Sequence, residues 1–236
     1  MKITTINSIE VSSLCNNACQ YCPAKDQGKH RETGLMDLDT FGVAMEWVMY
    51  FVKAGTQREL NLFGVGEPTL NPDFIKMIRY ARAALPFRQI IHANTNGKGM
   101  TVEYARQLKD AGISHIDITM HNHFDAANCI RIFKQVGIPG QLSIDPVTAP
   151  NNWAGQVDWF APEYEAGPCP WLGRGQVMVM SNGDITPCCI DAFATGVFTN
   201  IFEDITQAEV KPFDLCRRCH HTQPEIITSG YVQEIT

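Results

Sequence analysis

The sequence predicts an α/β fold: a partial, truncated (β/α) barrel followed by a small C-terminal domain made of a β-hairpin and a short helix. Strand and helix patterns alternate through the first two thirds of the chain, which predicts a parallel sheet with right-handed crossovers. Five strand–helix units are too few for a closed barrel, which takes eight units and about 250 residues. The alternation stops after residue 147. We therefore expect a barrel domain over 1–150 and a second domain over 151–236.

The units of the barrel can be placed one by one. Strands are predicted over 8–13, 59–65, 89–95, 115–120 and 141–146. Helices are predicted over 37–54, 71–84, 101–111 and 125–136. Asp37 or Asp39 can cap the first helix, while Gly55, Gly112 and Gly137 can each end a helix.

The last third of the chain has a different character. Residues 148–175 are rich in Pro, Gly, Asn and Trp and predict irregular structure. Strand patterns over 176–180 and 184–187 flank Ser181-Asn182-Gly183, which predicts a β-hairpin. A short helix is expected over 204–210.

Composition narrows the class of function. The net charge of −6 at pH 7 and the absence of a basic run argue against nucleic acid as the partner. No segment approaches the about 20 apolar residues that a membrane helix needs, and the N-terminus lacks the apolar core of a secretory signal. We expect a cytoplasmic protein without a membrane partner. Eight of the nine cysteines fall into two groups, which in a reducing compartment indicates metal or redox chemistry.

The first cysteine group is Cys15, Cys19 and Cys22, with the spacing C-x3-C-x2-C, directly after the first predicted strand. Catalytic residues of parallel α/β barrels collect at this end of the strands. Three thiolates can hold three corners of a cubane iron–sulfur cluster and leave the fourth iron open.

With this spacing, and with Tyr21 before the third cysteine, the sequence resembles the radical S-adenosylmethionine (SAM) superfamily. Gly64-Val65-Gly66-Glu67-Pro68 after the second strand is similar to the Gly-Gly-Glu-Pro motif of the family. Asn94-Thr95-Asn96-Gly97 is similar to the Thr-Asn-Gly that follows its third strand. The resemblance implies a [4Fe–4S] cluster on the three cysteines and reductive cleavage of SAM to a 5′-deoxyadenosyl radical, which takes a hydrogen atom from the substrate.

The resemblance also implies which residues bind SAM. They are Tyr21, Gly66, Glu67, Pro68, Asn94, Asn96, Thr119, His121 and Ile144. Backbone carbonyls and the Glu67 carboxylate are expected to accept hydrogen bonds from the SAM ammonium group. Strand alternation places Thr119 and His121 on the face opposite Ile116 and Ile118, toward the barrel interior. The candidate catalytic residues are His121, Ser143 and Asp145.

The second cysteine group resembles the auxiliary-cluster domains of radical SAM enzymes, known as SPASM and twitch domains. Thirteen residues separate Cys169 from Gly183, and four separate Gly183 from Cys188. Together with Cys216 and Cys219, the resemblance implies one auxiliary [4Fe–4S] cluster of the shorter, twitch form. Cys189 is an alternative ligand to Cys188. Cys129 stands alone on a predicted helix and is expected to be a buried apolar residue.

A fully ligated auxiliary cluster has no open iron, so its expected role is electron transfer. The whole pattern resembles twitch-type dehydrogenases, which implies net oxidation of a small molecule, consumption of SAM, and an electron donor such as flavodoxin or ferredoxin. The substrate stays open, because residues 132–173 hold no arginine, where such a dehydrogenase places a substrate contact. One alternative is a radical SAM enzyme that crosslinks or epimerises a peptide. Another is a non-catalytic zinc-binding interaction module.

Overall fold

The computed structural model describes residues 1–143, 152–158, 169–219 and 232–235. The strands are β1 (Thr5–Ile9), β2 (Glu59–Asn61), β3 (Ile90–Thr95), β4 (His115–Thr119), β5 (Gly140–Ser143), β6 (Gln176–Val179), β7 (Asp184–Thr186), β8 (Thr199–Asn200) and β9 (Val232–Ile235). The α-helices are α1 (Leu38–Lys53), α2 (Phe74–Ala84), α3 (Val102–Ala111), α4 (His123–Val136) and α5 (Pro170–Gly173). Short 3₁₀ helices cover Pro23–Lys25, Gln27–Lys29, Pro68–Leu70 and Asp214–Arg218.

All nine described strands belong to one sheet, in the order β8, β7, β6, β1, β2, β3, β4, β5, β9. The six central strands, from β6 to β5, run parallel. The strands at the two edges, β7 and β8 on one side and β9 on the other, pair antiparallel. The helices α1 to α4 connect successive parallel strands, as the predicted (β/α) order requires. The predicted fold class, an α/β partial barrel, is confirmed.

The predicted helices form where capping residues mark their ends. The Asp37 carboxylate caps α1 by accepting a hydrogen bond of 2.7 Å from the Thr40 N–H. Gly112 and Gly137 end α3 and α4 in the left-handed conformation, with φ of 95° and 76°. Cys129 on α4 is fully buried in the main core, as expected for an apolar role.

Three predicted elements differ from the structure. The strand predicted over 8–13 lies earlier, as β1 (Thr5–Ile9), because residues 5–9 pair with β6 whereas Val11 and Ser13 bond to the segment at 34–36. The strand predicted over 59–65 pairs only over β2, because the chain then turns away to form the loop at 64–67. The helix predicted over 204–210 is wrong. The Asp204 carboxylate instead accepts hydrogen bonds from the N–H and hydroxyl of Thr206, which closes a turn. Glu209 then pairs with Lys2 at the N-terminus, so a distant segment supplies its backbone partners.

The hairpin predicted over 176–187 is confirmed, and it lies in the main sheet. β6 pairs parallel with β1, with Thr5 opposite Gln176. Val177 and Val179 share the core with Ile6 and Ile9. The hairpin therefore widens the barrel at the β1 edge. The predicted domain boundary between residues 150 and 151 stays a prediction.

Within the described ranges, no helix combines the length and the apolar character needed to cross a lipid bilayer.

A buried ion pair ties the barrel to the loops above it. Glu10 directly follows β1 and is fully buried, and Arg31 is 6% exposed. The two guanidinium nitrogens of Arg31 donate to the two carboxylate oxygens of Glu10, at 2.7 Å and 2.8 Å. Glu10 also accepts from the Val65 N–H at 3.1 Å, and Arg31 donates to the Ala192 carbonyl at 2.8 Å. The pair thus joins β1, the segment after the first cysteine group, the 64–67 loop and the chain beyond the hairpin.

We predict that Glu10→Gln destabilises the fold by about 3–5 kcal/mol, because it leaves the Arg31 charge buried without a counter-charge. The measurement is urea unfolding of the reduced protein under anaerobic conditions. Lys76→Ala is the matched control, since it breaks the exposed Lys76–Asp73 pair and should cost less than about 1 kcal/mol. An equal decrease in the free energy of unfolding for the two variants would contradict the prediction.

Candidate active site

A cavity of about 230 Å³ opens at the carboxyl ends of β1 to β4. Its walls come from the first cysteine group, the loops after β2 and β3, and the end of β4. The lining residues are Cys15, Asn17, Cys19, Tyr21, Cys22, Ala24, Gly64, Val65, Gly66, Glu67, Asn94, Thr95, Asn96, Thr119, His121 and Trp153. The structure therefore gathers most residues that the sequence assigns to the cluster and to SAM. Pro68 lies just outside, as the buried first residue of the 3₁₀ helix Pro68–Leu70.

The three sulfurs of this cavity do not all lie within 4.8 Å of one another. Zinc holds sulfur ligands at about 2.3 Å in a tetrahedron, so neighbouring sulfurs lie about 3.8 Å apart. Among the described cysteines, no three sulfurs lie within 4.8 Å of one another. A cubane cluster places its iron and sulfide atoms between the thiolates and needs the wider spacing. The donor set and its spacing thus fit an iron–sulfur cluster.

Burial and mutual repulsion disfavour free thiolates at Cys15 and Cys22. Burial raises the pKa of Cys22 to about 11, and the charges of Cys19 and Cys15 add to the increase. Burial also raises the pKa of Cys15, with added repulsion from Glu67 and Cys19. Without a positively charged partner these thiols stay protonated at neutral pH, so loading of a metal cluster must release protons.

The expected contact of the Glu67 carboxylate with the SAM ammonium group stays a prediction, and the structure adds a second role for this side chain. Its carboxylate is only 3% exposed and accepts from four protein donors. These are the Thr95 hydroxyl at 2.8 Å, the Asn96 N–H at 2.7 Å, and the hydroxyl and N–H of Thr69 at 2.7 Å and 3.2 Å. Through these bonds Glu67 fastens the loop after β2 to the end of β3, and Oε2, which accepts only from the Asn96 N–H among the described residues, keeps capacity for a further donor. Residues 64–67 all line the cavity.

The absence of a side chain at Gly66 allows the motif to approach the cysteine loop closely. A Cβ at this position would collide with the Ser12 carbonyl oxygen and would lie 2.7 Å from the Leu14 carbonyl oxygen. The neighbouring Glu67 N–H donates to that same Leu14 carbonyl at 2.8 Å. The absent side chain therefore lets the two loops share a hydrogen bond directly before Cys15.

Side chains from β3 and β4 supply polar groups to the cavity. Among the described residues, the buried Asn94 Oδ1 has no hydrogen-bond partner, so it can accept from a ligand. Asn96 donates to the Asn16 side chain at 2.8 Å and approaches the Cys15 sulfur at 3.8 Å. Thr119 and His121 face the cavity while Ile116 and Ile118 pack in the core, as alternation predicts.

Tyr21 and His121 form a pair across the cavity. The Tyr21 hydroxyl and His121 Nδ1 are 2.7 Å apart, and the rings stack with centroids 5.7 Å apart. The Trp153 indole N–H donates to the Tyr21 carbonyl at 3.1 Å. A residue from the irregular segment thus helps to hold the aromatic wall.

The position of three candidates from the fifth predicted strand relative to the cavity stays a prediction; they are Ser143, Ile144 and Asp145. Ser143 ends β5 and pairs with Thr119 in the backbone register. Ile144 and Asp145 lie outside the described residues. Sequence reasoning missed Glu10 and Arg31, since 21 residues separate them and neither belongs to a motif.

The second cysteine group forms its own site. Cys169, Cys188, Cys216 and Cys219 line one crevice, and its other walls are apolar. These walls are Trp171, Leu172, Ile190, Phe213 and Leu215. Cys189 borders a neighbouring crevice instead, which favours Cys188 as the residue that faces the other three cysteines.

The buried Asp191 shapes the chain beyond this group. One carboxylate oxygen accepts from the N–H and hydroxyl of Thr195, both at 2.8 Å. The other accepts from the Thr186 hydroxyl at 2.7 Å and from the Gly196 N–H at 2.8 Å. These four bonds hold the loop after Cys188 against the end of β7.

We predict that alkylation of Cys22 by iodoacetamide in folded, cluster-free protein accelerates about tenfold per pH unit from pH 7 to pH 10. Only the thiolate reacts, and burial keeps its fraction small until the pH nears 11. Peptide mass spectrometry measures the rate. The same cysteine in urea is the control and should level off near pH 9. A plateau below pH 9 in the folded protein would refute the expected burial effect.

Comparison with known proteins agrees with this geometry. The model of the Radical SAM superfamily matches residues 9–145. The S-adenosyl-L-methionine-dependent 2-deoxy-scyllo-inosamine dehydrogenase of Niallia circulans is 31% identical over 121 residues, which are 51% of this chain and 46% of that protein. GTP 3′,8-cyclase 1 of Pseudomonas aeruginosa is 28% identical over 203 residues, 86% of this chain and 55% of that protein. The chain thus spans about half the length of these curated relatives.

The fold has a counterpart among solved structures. The crystal structure of BtrN in complex with AdoMet and 2-DOIA superposes with a TM-score of 0.71, and the match covers 88% of this chain and 84% of that chain at 23% identity. At this identity the match shows a shared fold. The family match extends over more than half of the chain, from the end of β1 beyond β5, and includes the three cysteines and the loop of Glu67. The chain therefore belongs to the radical SAM superfamily, whose members use a [4Fe–4S] cluster and S-adenosylmethionine.

Proposed function

We propose that this enzyme oxidises a small-molecule alcohol by radical SAM chemistry and passes one electron to an auxiliary [4Fe–4S] cluster. One observation carries the proposal: four cysteines of the C-terminal group face a single apolar-walled crevice, apart from the cavity of the first three cysteines. Four thiolates complete a cubane cluster and leave no iron open for substrate, which suits electron transfer. The 31% identity to a dehydrogenase supports the direction of the reaction.

In this proposal Cys15, Cys19 and Cys22 hold the SAM-binding cluster, and Cys169, Cys188, Cys216 and Cys219 hold the auxiliary one. When bound, these groups supply a 5′-deoxyadenosyl radical that removes a hydrogen atom from the substrate carbon and an acceptor for the second electron. The backbone of 64–66 and Asn94 Oδ1 would accept hydrogen bonds from SAM, and their position in the cavity lining supports this assignment.

The chain's own chemical task is to take the proton of the substrate hydroxyl. Oxidation of an alcohol to a ketone removes a hydrogen atom, a proton and an electron, so a base must stand near the radical. His121 lies in the cavity wall and is oriented by the Tyr21 hydroxyl, which makes it the first candidate. Ser143 and Asp145 are further candidates from strand five. A donor such as flavodoxin or ferredoxin would supply the electron that starts each turnover.

Iron content tests the two clusters. We predict about eight irons per chain after anaerobic reconstitution, and about four in the variant Cys15→Ala/Cys19→Ala/Cys22→Ala. Only the wild type should then form 5′-deoxyadenosine from SAM in the presence of dithionite. About four irons in the wild type and none in the triple variant would remove the auxiliary cluster, and bound zinc without iron would refute both clusters.

Product analysis tests the oxidation. The wild type is incubated with SAM, reductant and a panel of aminocyclitols that includes 2-deoxy-scyllo-inosamine, the compound in the name of the dehydrogenase relative. We expect a ketone, two hydrogen atoms lighter than its substrate, by mass spectrometry. Cys216→Ala/Cys219→Ala should still form 5′-deoxyadenosine but lose the ketone. A ketone yield unchanged by this variant would exclude the auxiliary cluster as acceptor.

Gly66 offers a test of the site's geometry. We predict that Gly66→Ala weakens SAM binding at least tenfold, because its Cβ overpacks the backbone before Cys15 at a cost of about 1–3 kcal/mol. Gly42→Ala is the control, since Gly42 lies within α1 with nothing within 4 Å of the added carbon. SAM affinity is measured on reconstituted protein, with iron content determined for each sample. Wild-type affinity in Gly66→Ala would show that the close approach is not required.

A further inference from the structure

Three potential metal ligands meet inside the barrel, apart from both cysteine groups. His92 lies on β3, and His115 and Asp117 lie on β4. Each offers one ligand atom, and these atoms all lie within 4.8 Å of one another. His92 and His115 are direct neighbours in the parallel register. All three residues are half-buried.

Strand alternation places the cluster directly beneath the SAM cavity. His92 shares a face of β3 with Asn94, and Asp117 shares a face of β4 with Thr119. Asn94 and Thr119 line the cavity. Two residues along a strand span about 7 Å, so the cluster occupies the next layer of side chains toward the amino ends of the strands.

Asn61 fixes the proton on His92. The Asn61 amide nitrogen donates to the Asn7 carbonyl at 2.7 Å and to the Glu59 carboxylate at 3.3 Å. Its oxygen is therefore the atom that faces His92 Nδ1, at 2.8 Å, so Nδ1 must carry the hydrogen. The neutral ring then presents the lone pair of Nε2 to the cluster.

That lone pair has an unfavourable neighbour unless a cation is present. His92 Nε2 is buried without a hydrogen-bond partner among the described residues, and it lies 3.3 Å from Asp117 Oδ2. The Nε2 lone pair and the carboxylate repel each other. A metal ion between them would accept an electron pair from each and remove this repulsion. A metal-binding imidazole commonly donates its other N–H to a fixed acceptor, as His92 does to Asn61.

Asp117 has the charge that such a site needs. Burial alone would raise the pKa of this carboxyl group, yet the pKa is lowered overall, and His115 Nε2 lies 2.6 Å from the carboxylate. The carboxylate is therefore ionised at neutral pH. His115 Nε2 lies 2.6 Å from Asp117 Oδ1, which is a hydrogen-bond distance. Two ligand atoms on a tetrahedral ion lie about 3.4 Å apart, so these two atoms must separate by roughly 0.8 Å when a metal binds.

We propose that His92, His115 and Asp117 bind one divalent transition-metal ion that prefers nitrogen and oxygen ligands, such as Zn²⁺, Co²⁺ or Fe²⁺. Two imidazoles and one carboxylate are a common set for these ions, and three protein ligands leave open positions toward the barrel interior. The proposal does not depend on the oxidation proposed above, because it concerns residues outside both cysteine groups.

The test uses Zn²⁺ and holoprotein whose clusters have been reconstituted, so that the cysteines are occupied. Calorimetric titration should give one Zn²⁺ per chain. X-ray absorption at the zinc edge should show only nitrogen and oxygen at about 2.0–2.2 Å, without sulfur at about 2.3 Å. Sulfur around the zinc, or no binding at all, would overturn the proposal.

Variants identify the ligands. His92→Ala and His115→Ala should each weaken Zn²⁺ binding by at least a hundredfold, whereas His123→Ala, at an exposed histidine outside the cluster, should bind as the wild type does. Asn61→Ala leaves the three ligands in place but releases His92, so a loss of about 10–100-fold is expected. Iron content and circular dichroism establish that each variant is folded. Wild-type affinity in folded His92→Ala would overturn the site.

Discussion

The ion pair between Glu10 and Arg31 is the contact on which the arrangement of the upper barrel depends. Removal of two charges from water is costly, and the cost is offset only when geometry and hydrogen bonding are complete. Here the pair is bidentate, and the partners of its remaining groups lie in the 64–67 loop and beyond the hairpin. Any large shift of these segments would leave a buried charge unpaired. The pair therefore specifies one relative placement of the loops that form the cavity.

Glu67 performs a related task one strand further along the sheet. The loops at the carboxyl ends of β2 and β3 have no regular backbone pairing with each other, so a side chain must join them. The Glu67 carboxylate does so by accepting from Thr95 and Asn96 on one side and Thr69 on the other. Gly66 allows the same loop to contact the backbone before Cys15. Family membership implies a cluster and SAM at this end of the barrel, and these contacts give the cysteines and the ligand-facing backbone a fixed spacing.

The two cysteine groups differ in their surroundings, which bears on their chemistry. The first group borders an open cavity with several polar side chains, as a site that admits a cofactor requires. The second lies among aromatic and aliphatic walls. If this group holds the proposed auxiliary cluster, its apolar surroundings would tune the reduction potential of that cluster. The polar layer of His92, His115 and Asp117 below the cavity adds a third environment within the same barrel.

The sequence by itself determined most of the local elements and the family to which the chain belongs. Caps such as Asp37, terminators such as Gly112 and the spacing of Cys15, Cys19 and Cys22 act within a few residues, so a local pattern predicts them. Alternation on β4 likewise predicted that Thr119 and His121 face inward. Only the tertiary structure decided that the hairpin pairs with β1, that Arg31 neutralises Glu10, that Glu67 joins the loops after β2 and β3, and that His92 meets Asp117. These contacts join groups that are 21 to 171 residues apart. Their partners depend on which strands become neighbours and on which polar groups are buried together, and no local sequence pattern contains that information.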